Sequence, residues 1–241
     1  MLSSLPEELL HVFERSTVAE LVTIDGHRRP MTWPVRPAFD PREVCLNVGP
    51  VPAADDAARE PHVALLFSEP GAIALPEPPM VLVQGTAKVG QATVRVRPER
   101  LYVWPAADPE AEPRLYDAHV EEVRSAHNEE PEVGHAPPEG GPPAWDPRLE
   151  DLGAAHPTAV LAFVGPDGFP FAVRVPVRAD GAAGVVRIGS DPVGAPMEPG
   201  LACLSARSLR IRGDLEEDRG DWVLRPHGVG DLERSAASPG R

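Results

Sequence analysis

Apolar residues come in short bursts along this chain, and most bursts have the length of strands. The exception lies near the N-terminus, where Leu9, Leu10, Val12 and Phe13 form a helical stripe. Ser4 can cap that helix, Pro6 suits its first turn, and Glu7 and Glu8 lie at the positive end of its dipole. A helix is therefore predicted over Ser4 to Arg15. Strands are then predicted at Ala19–Ile24, Met31–Arg36 (interrupted by Pro34), Val44–Val48, His62–Phe67, Val81–Val89 and Leu101–Trp104. Asp25-Gly26 is a tight-turn signal between the first two. A single helical turn is expected around Asp55 to Arg59, and a longer helix over Leu115 to His127, with Leu115, Ala118, Val120 and Val123 on its buried side. The stretch from Asn128 to Pro147, dense in Pro, Gly and Glu, reads as a linker or long exposed loop.

The pattern then restarts. Strands are predicted at Thr158–Val164, Phe171–Arg178, Gly184–Ile188, Leu201–Ser205, Leu209–Gly213 and Trp222–Pro226, with Asp167-Gly168 as a turn. The polar segment from Gly228 to Arg241 reads as a disordered tail. Asp25-Gly26 lies over Asp167-Gly168, and Pro34-Val35-Arg36 over Pro176-Val177-Arg178, both 142 positions apart (25 and 167, 34 and 176). With deletions, Glu60-Pro61 matches Glu198-Pro199, and Gln84-Gly85 matches Arg212-Gly213. Two diverged copies of one small barrel are expected. They run over residues 1–114 and 153–228, joined by a helix and Pro/Gly-rich connection at 115–152 and followed by a tail at 229–241. A lone barrel with an open side exposes strand edges, and a second copy in the same chain can cover them.

Composition narrows the chemistry. The 241 residues include 31 prolines, which favour short elements and loops. The net charge of −14 would repel a phosphate backbone, so nucleic acid is not an expected partner. Lys88 is the only lysine, so any anion site must use Arg or backbone N–H groups. Cys45 and Cys203 sit in apolar runs and read as buried strand residues rather than a disulfide. No apolar run reaches the roughly 18 residues of a membrane span. The acidic N-terminus lacks a leader pattern, which makes the cytoplasm the expected location. His119, Glu122 and His127 lie on one predicted helix and would not converge, so no metal site is expected.

Three segments, taken in order, carry a resemblance. They are Glu20 to Val35, Ala57 to Phe67 around Glu60-Pro61, and Val81-Leu-Val-Gln-Gly-Thr-Ala87. Their sequence of helix, strand, Asp-Gly turn, strands and Val-Gln-Gly-Thr-Ala resembles the pyridoxamine 5'-phosphate oxidase-like FMN-binding split barrels. It covers about residues 5–104, and the second half rests mainly on the repeat. The resemblance implies a mostly β (α+β) fold of two split β-barrel modules paired within one chain. It also implies a small-molecule ligand, FMN, between them and an oxidoreductase of unknown substrate. Related barrels bind the deazaflavin F420 or haem. The alternative is a degenerate barrel without cofactor that serves as a binding or structural protein. Internal pairing lowers the need for a homodimer without forbidding one.

The resemblance also names positions. The family holds the flavin phosphate with hydroxyl and basic side chains in the strand and loop after the second turn. Here that stretch offers Asn47 and Arg59 in the first half and Ser190 in the second, among prolines and the acidic pair Asp55 and Asp56. Arg36 and Arg178, matched in the repeat, are candidates for the phosphate. Gln84 occupies the place that contacts flavin across the groove. Trp33 and Trp104 are candidates to stack on the ring. No side chain stands out as a general acid or base.

Overall fold

The computed structural model describes residues 7–40, 45–49, 53–68, 79–90, 93–105, 112–117, 145–189, 193–206 and 208–232. The fold is mostly β. In chain order, helix α1 (Glu7–Arg15) precedes β1 (Ala19–Ile24), β2 (Pro30–Val35), β3 (Pro37–Asp40) and β4 (Cys45–Val48). Helix α2 (Ala54–Arg59), β5 (His62–Phe67), β6 (Met80–Val89), β7 (Val94–Trp104) and β8 (Arg114–Asp117) complete the first half. The second half holds a 3-10 turn (Pro147–Leu149), α3 (Leu152–Ala155), β9 (Thr158–Val164), β10 (Pro170–Asp180) and β11 (Val185–Ile188). It ends with β12 (Gly200–Ala206), β13 (Leu209–Asp218) and β14 (Asp221–Asp231).

The second half is a closed barrel in the order β10-β11-β14-β13-β12-β9. The first half is a sheet in the order β2-β1-β5-β6-β7-β4-β3, with β8 added beside β7. Its two end strands, β2 and β3, are separated only by Arg36, so the sheet curls until its ends meet there. β10 spans the same place unbroken, pairing with β9 along its first part and with β11 along its last. Phe13 of α1 packs on Phe39 and Phe67, at centroid distances of 5.6 and 5.2 Å, and helps fill the first barrel.

The pairings of the two halves superpose residue by residue, but not at the spacing expected from the turns. Ile24 pairs with Pro30 and Val164 with Pro170, which sets the offset at 140 (30 and 170). Asp25 opens its turn and Gly165 opens the other: Asp25 N donates to Arg29 O, and Gly165 N to Phe169 O. The left-handed residue of each turn is Arg28 (φ 61°) and Gly168 (φ 80°). Asp25-Gly26 and Asp167-Gly168 are therefore different parts of the same turn, and Arg36 stands opposite Pro176 rather than Arg178. The match of Gln84-Gly85 to Arg212-Gly213 does hold. Both pairs sit at a β-bulge, where Gly85 meets Pro98 and Gly213 meets Pro226. A Cβ on Gly85 would lie 2.1 Å from the Arg97 carbonyl oxygen, and one on Gly213 the same 2.1 Å from that of Arg225. Glycine is required there by the close approach of two backbones.

The halves pack through strands buried on both faces. In β5, Val63, Leu65 and Phe67 fill the first barrel, while Ala64 and Leu66 turn outward and join the core of the second. Val22 and Leu82 do the same. That double burial explains the unbroken apolar runs at Val63–Phe67 and Ala159–Phe163. β7, with one face in solvent, alternates instead: Val94, Val96 and Pro98 are buried, and Arg95 and Arg97 exposed.

Several predicted elements change length or kind. β7 begins at Val94, not Leu101, because its charged alternation hides it from a search for apolar runs. The predicted helix from Leu115 starts as strand β8, paired with β7, and its remainder lies outside the described residues. The expected tail is ordered as far as Leu232. Gly228, Val229, Gly230 and Asp231 continue β14 against β13, and Leu232 is buried. Both cysteines are buried, and no disulfide joins them. No helix among the described residues is long and apolar enough to cross a membrane.

Candidate functional site

Two seams run between the halves, and the common register makes them counterparts. In each seam, the β1–β2 or β9–β10 turn of one half faces the bulged hairpin of the other. The residue before the proline of the turn is Arg29 in the first half and Phe169 in the second. The residue before the bulge glycine is Gln84 in the first half and Arg212 in the second.

The seam that holds Phe169 is closed. Its ring packs on His62 at a centroid distance of 4.3 Å and lies 4.5 Å beneath the Arg100 guanidinium. Arg100 also bridges Asp167 of the same turn at 2.6 Å. Behind them Gln84 is buried and donates to the Pro170 carbonyl at 3.0 Å. Trp104 is buried four residues beyond Arg100 on β7, its indole N–H bonded to Val193 O at 2.9 Å and its ring set against Phe171. Structure thus brings together two of the sequence candidates, Gln84 and Trp104, at the segment Pro170-Phe171. Both already have protein partners there.

The other seam is open. A crevice of about 160 Å³ is lined by Arg29, Ala202, Arg212, Gly213 and His227 among others. Arg212 is an exposed cation beside Gly228. Arg29 is held by Asp25 at 2.8 Å through Nε and Nη2. His227 Nε2 lies 2.7 Å from Asp214. The counterpart of that last pair in the closed seam is Thr86, which donates to Glu99. One seam thus carries two guanidinium groups and an imidazole around a void, where its twin carries an aromatic plug.

The remaining candidates do not converge. Trp33 is buried in the first barrel, its N–H on Thr23 Oγ1 at 3.0 Å and its face covered by the Arg210 guanidinium at 4.3 Å. Arg210 crosses from the second half to donate to Thr32 O, and burial lowers the pKa of its guanidinium. Arg36 and Arg178 are exposed. Asn47 accepts from Arg95 at 3.4 Å on β4, and Arg59 is largely exposed beside Asp56. Ser190, His119, Glu122 and His127 lie outside the described residues. Cys203, fully buried against Thr32, is pushed up by burial and stays a neutral thiol rather than a nucleophile. Sequence reasoning missed Arg212, Arg29 and Phe169. The Gln84 match pointed straight at Arg212, one residue before an obligatory glycine.

No family model and no curated protein matches the sequence. Solved structures with similar folds include a haem-binding protein from Mycobacterium smegmatis, at 12% identity and TM-score 0.37 over 47% of this chain and 59% of that one. They also include an F420 reductase, at 15% identity and TM-score 0.34 over 40% and 98%. A third is a Clostridium acetobutylicum protein of the pyridoxinephosphate oxidase family, related to general stress protein 26 of B. subtilis. It matches at 7% identity and TM-score 0.38 over 46% and 92%.

Proposed function

We propose that this chain is a duplicated split-barrel pair that binds one small anionic ligand, of the flavin nucleotide class, in the open seam. The observation that carries the reading is the asymmetry of the seams. The resemblance points to Gln84 as the residue that meets flavin across the groove, but Phe169 and Pro170 fill that place. Its twin Arg212 faces a crevice flanked by Arg29 and His227. Guanidinium groups suit phosphate in both charge and geometry, and a chain almost without lysine has no other strong cation to offer.

The fit is partial. At about 160 Å³ the crevice accommodates the phosphate-bearing end of FMN better than a whole flavin. In this reading Arg212 and Arg29 hold the phosphate, His227 lines the wall, and a bound flavin supplies the hydride chemistry. A degenerate, cofactor-free barrel is the second reading. It is favoured by the closed seam and by the protein partners of Trp33 and Trp104.

Titration of the purified full chain with FMN, followed by quenching of flavin fluorescence, separates the two. The expected result is saturation at one equivalent, with affinity reduced about tenfold in Arg212→Ala, the loss of one charged hydrogen bond. Uptake of F420 or haem in place of FMN would keep the site and change the cofactor. Failure of all three to bind would leave the cofactor-free reading.

A further inference from the structure

A second cavity, of about 420 Å³, lies between the halves away from Arg212, within the size range of small-molecule sites. It sits where equivalent positions face each other, since Val18 and Thr158, and Pro34 and Arg174, occupy matching places in the two halves. The halves do not contribute alike. The first offers the apolar Val18 and Pro34 besides Glu20, and Leu232 of the second half is a further apolar lining residue. The second offers Arg174, Thr158 and Ser205, and Glu20 of β1 stands beside Arg174. The Glu20 and Arg174 charged groups approach to 3.8 Å, with side chains 13% and 16% exposed. Arg174 Nε also donates to Ser68 Oγ at 3.2 Å.

Ser205 is the second, independent sign. It is 6% exposed, lines the cavity, and its hydroxyl has no hydrogen-bond partner among the described residues. A buried hydroxyl without a partner is costly, and a ligand that bonds to it recovers the difference.

From this wall we infer a site for an apolar α-amino acid. A lone anion would meet Glu20, and a lone cation would meet Arg174, each partly buried where repulsion is poorly screened. A zwitterion satisfies both, with the ammonium on Glu20 and the carboxylate on Arg174. Ser205 and Thr158 supply the remaining polar contacts. The aliphatic or aromatic side chain then lies against Val18, Pro34 and Leu232, removing apolar surface from water. The site stands apart from the Arg212 crevice and does not rest on the flavin reading.

Calorimetric titration of the full chain with L-leucine and L-phenylalanine tests it. Two analogues, 4-methylpentanoate and 3-methylbutylamine, each keep one of the two charges of leucine. At least one amino acid is expected to bind with a Kd below about 1 mM, each analogue at least about tenfold more weakly, and excess FMN should not compete. Ser205→Ala, which removes the hydroxyl and adds no bulk, should weaken amino-acid binding about tenfold. If that variant fails to fold, Thr158→Val on the same wall serves instead. The inference is overturned by absence of heat with both amino acids, by an analogue that matches leucine, or by a variant that binds like wild type.

Discussion

The two seams start from the same backbone and end in opposite states. In both, a turn ending at a proline faces a hairpin pinned by a bulge glycine. In one, Phe169 enters between His62 and Arg100. In the other, the same place holds Arg29, drawn aside by Asp25. An aromatic side chain needs only apolar or cationic walls to close a gap. A guanidinium keeps its charge hydrated or paired and leaves the gap open. The difference between a plug and a crevice is thus made by very few side chains on a frame of hydrogen bonds that the two halves share.

That frame is the part most sensitive to change. Gly85→Val and Gly213→Val each push a Cβ into a carbonyl oxygen of the neighbouring strand, and backbone on both sides cannot yield. Each is expected to cost about 3 kcal/mol or more, measured as a lowered denaturant midpoint. The losses should be similar because the two sites have the same geometry. One loss several times the other would break the equivalence of the halves.

Little of this frame is visible in residue identities. The paired apolar runs and turns were legible, because strands buried on both faces need unbroken Val, Leu, Ala and Phe. So was the Gln84-Gly85 match, because only glycine fits the bulge. The offset of the turns was not. Asp and Gly recur at several turn positions, since Asp25 opens one turn with its carboxylate on two backbone N–H groups while Asp167 sits two positions further along in the other. The seams were illegible for a different reason. Phe169 and Arg29 sit in polar turns where local pattern assigns no role, and their partners His62, Arg100 and Arg212 come from distant strands.

The plug itself supplies the next test. Phe169→Ala removes the ring contacts with His62 and Arg100 and is expected to cost about 2 kcal/mol, less than a fully buried Phe because the site is only half-buried. Arg29→Ala, at the matching place in the open seam, should cost about 0.5 kcal/mol, the scale of a partly exposed ion pair. Thermal unfolding of the two variants side by side reads the contrast. Equal costs would mean that the closed seam contributes no more packing than the open one.

The smallest expected effect is a difference in pH response between the two turns. Burial alone would raise the Asp25 pKa. The backbone N–H groups of Arg29 and His27 and the Arg29 guanidinium outweigh it and hold the carboxyl below its ordinary value. A group depressed in the folded state adds stability above its unfolded pKa, about 3.9, and loses that contribution as pH falls through the lower folded value. Wild type should therefore exceed Asp25→Asn by about 0.5 kcal/mol at pH 7, with the gap closing below about pH 4. Gly165, which opens the other turn, has no side chain at the place of Asp25, so this particular contribution has no counterpart at the matching position. Denaturant unfolding of the two proteins from pH 7 to pH 3 measures it. A gap that stays constant across that range would show that the Asp25 contacts act through geometry rather than charge.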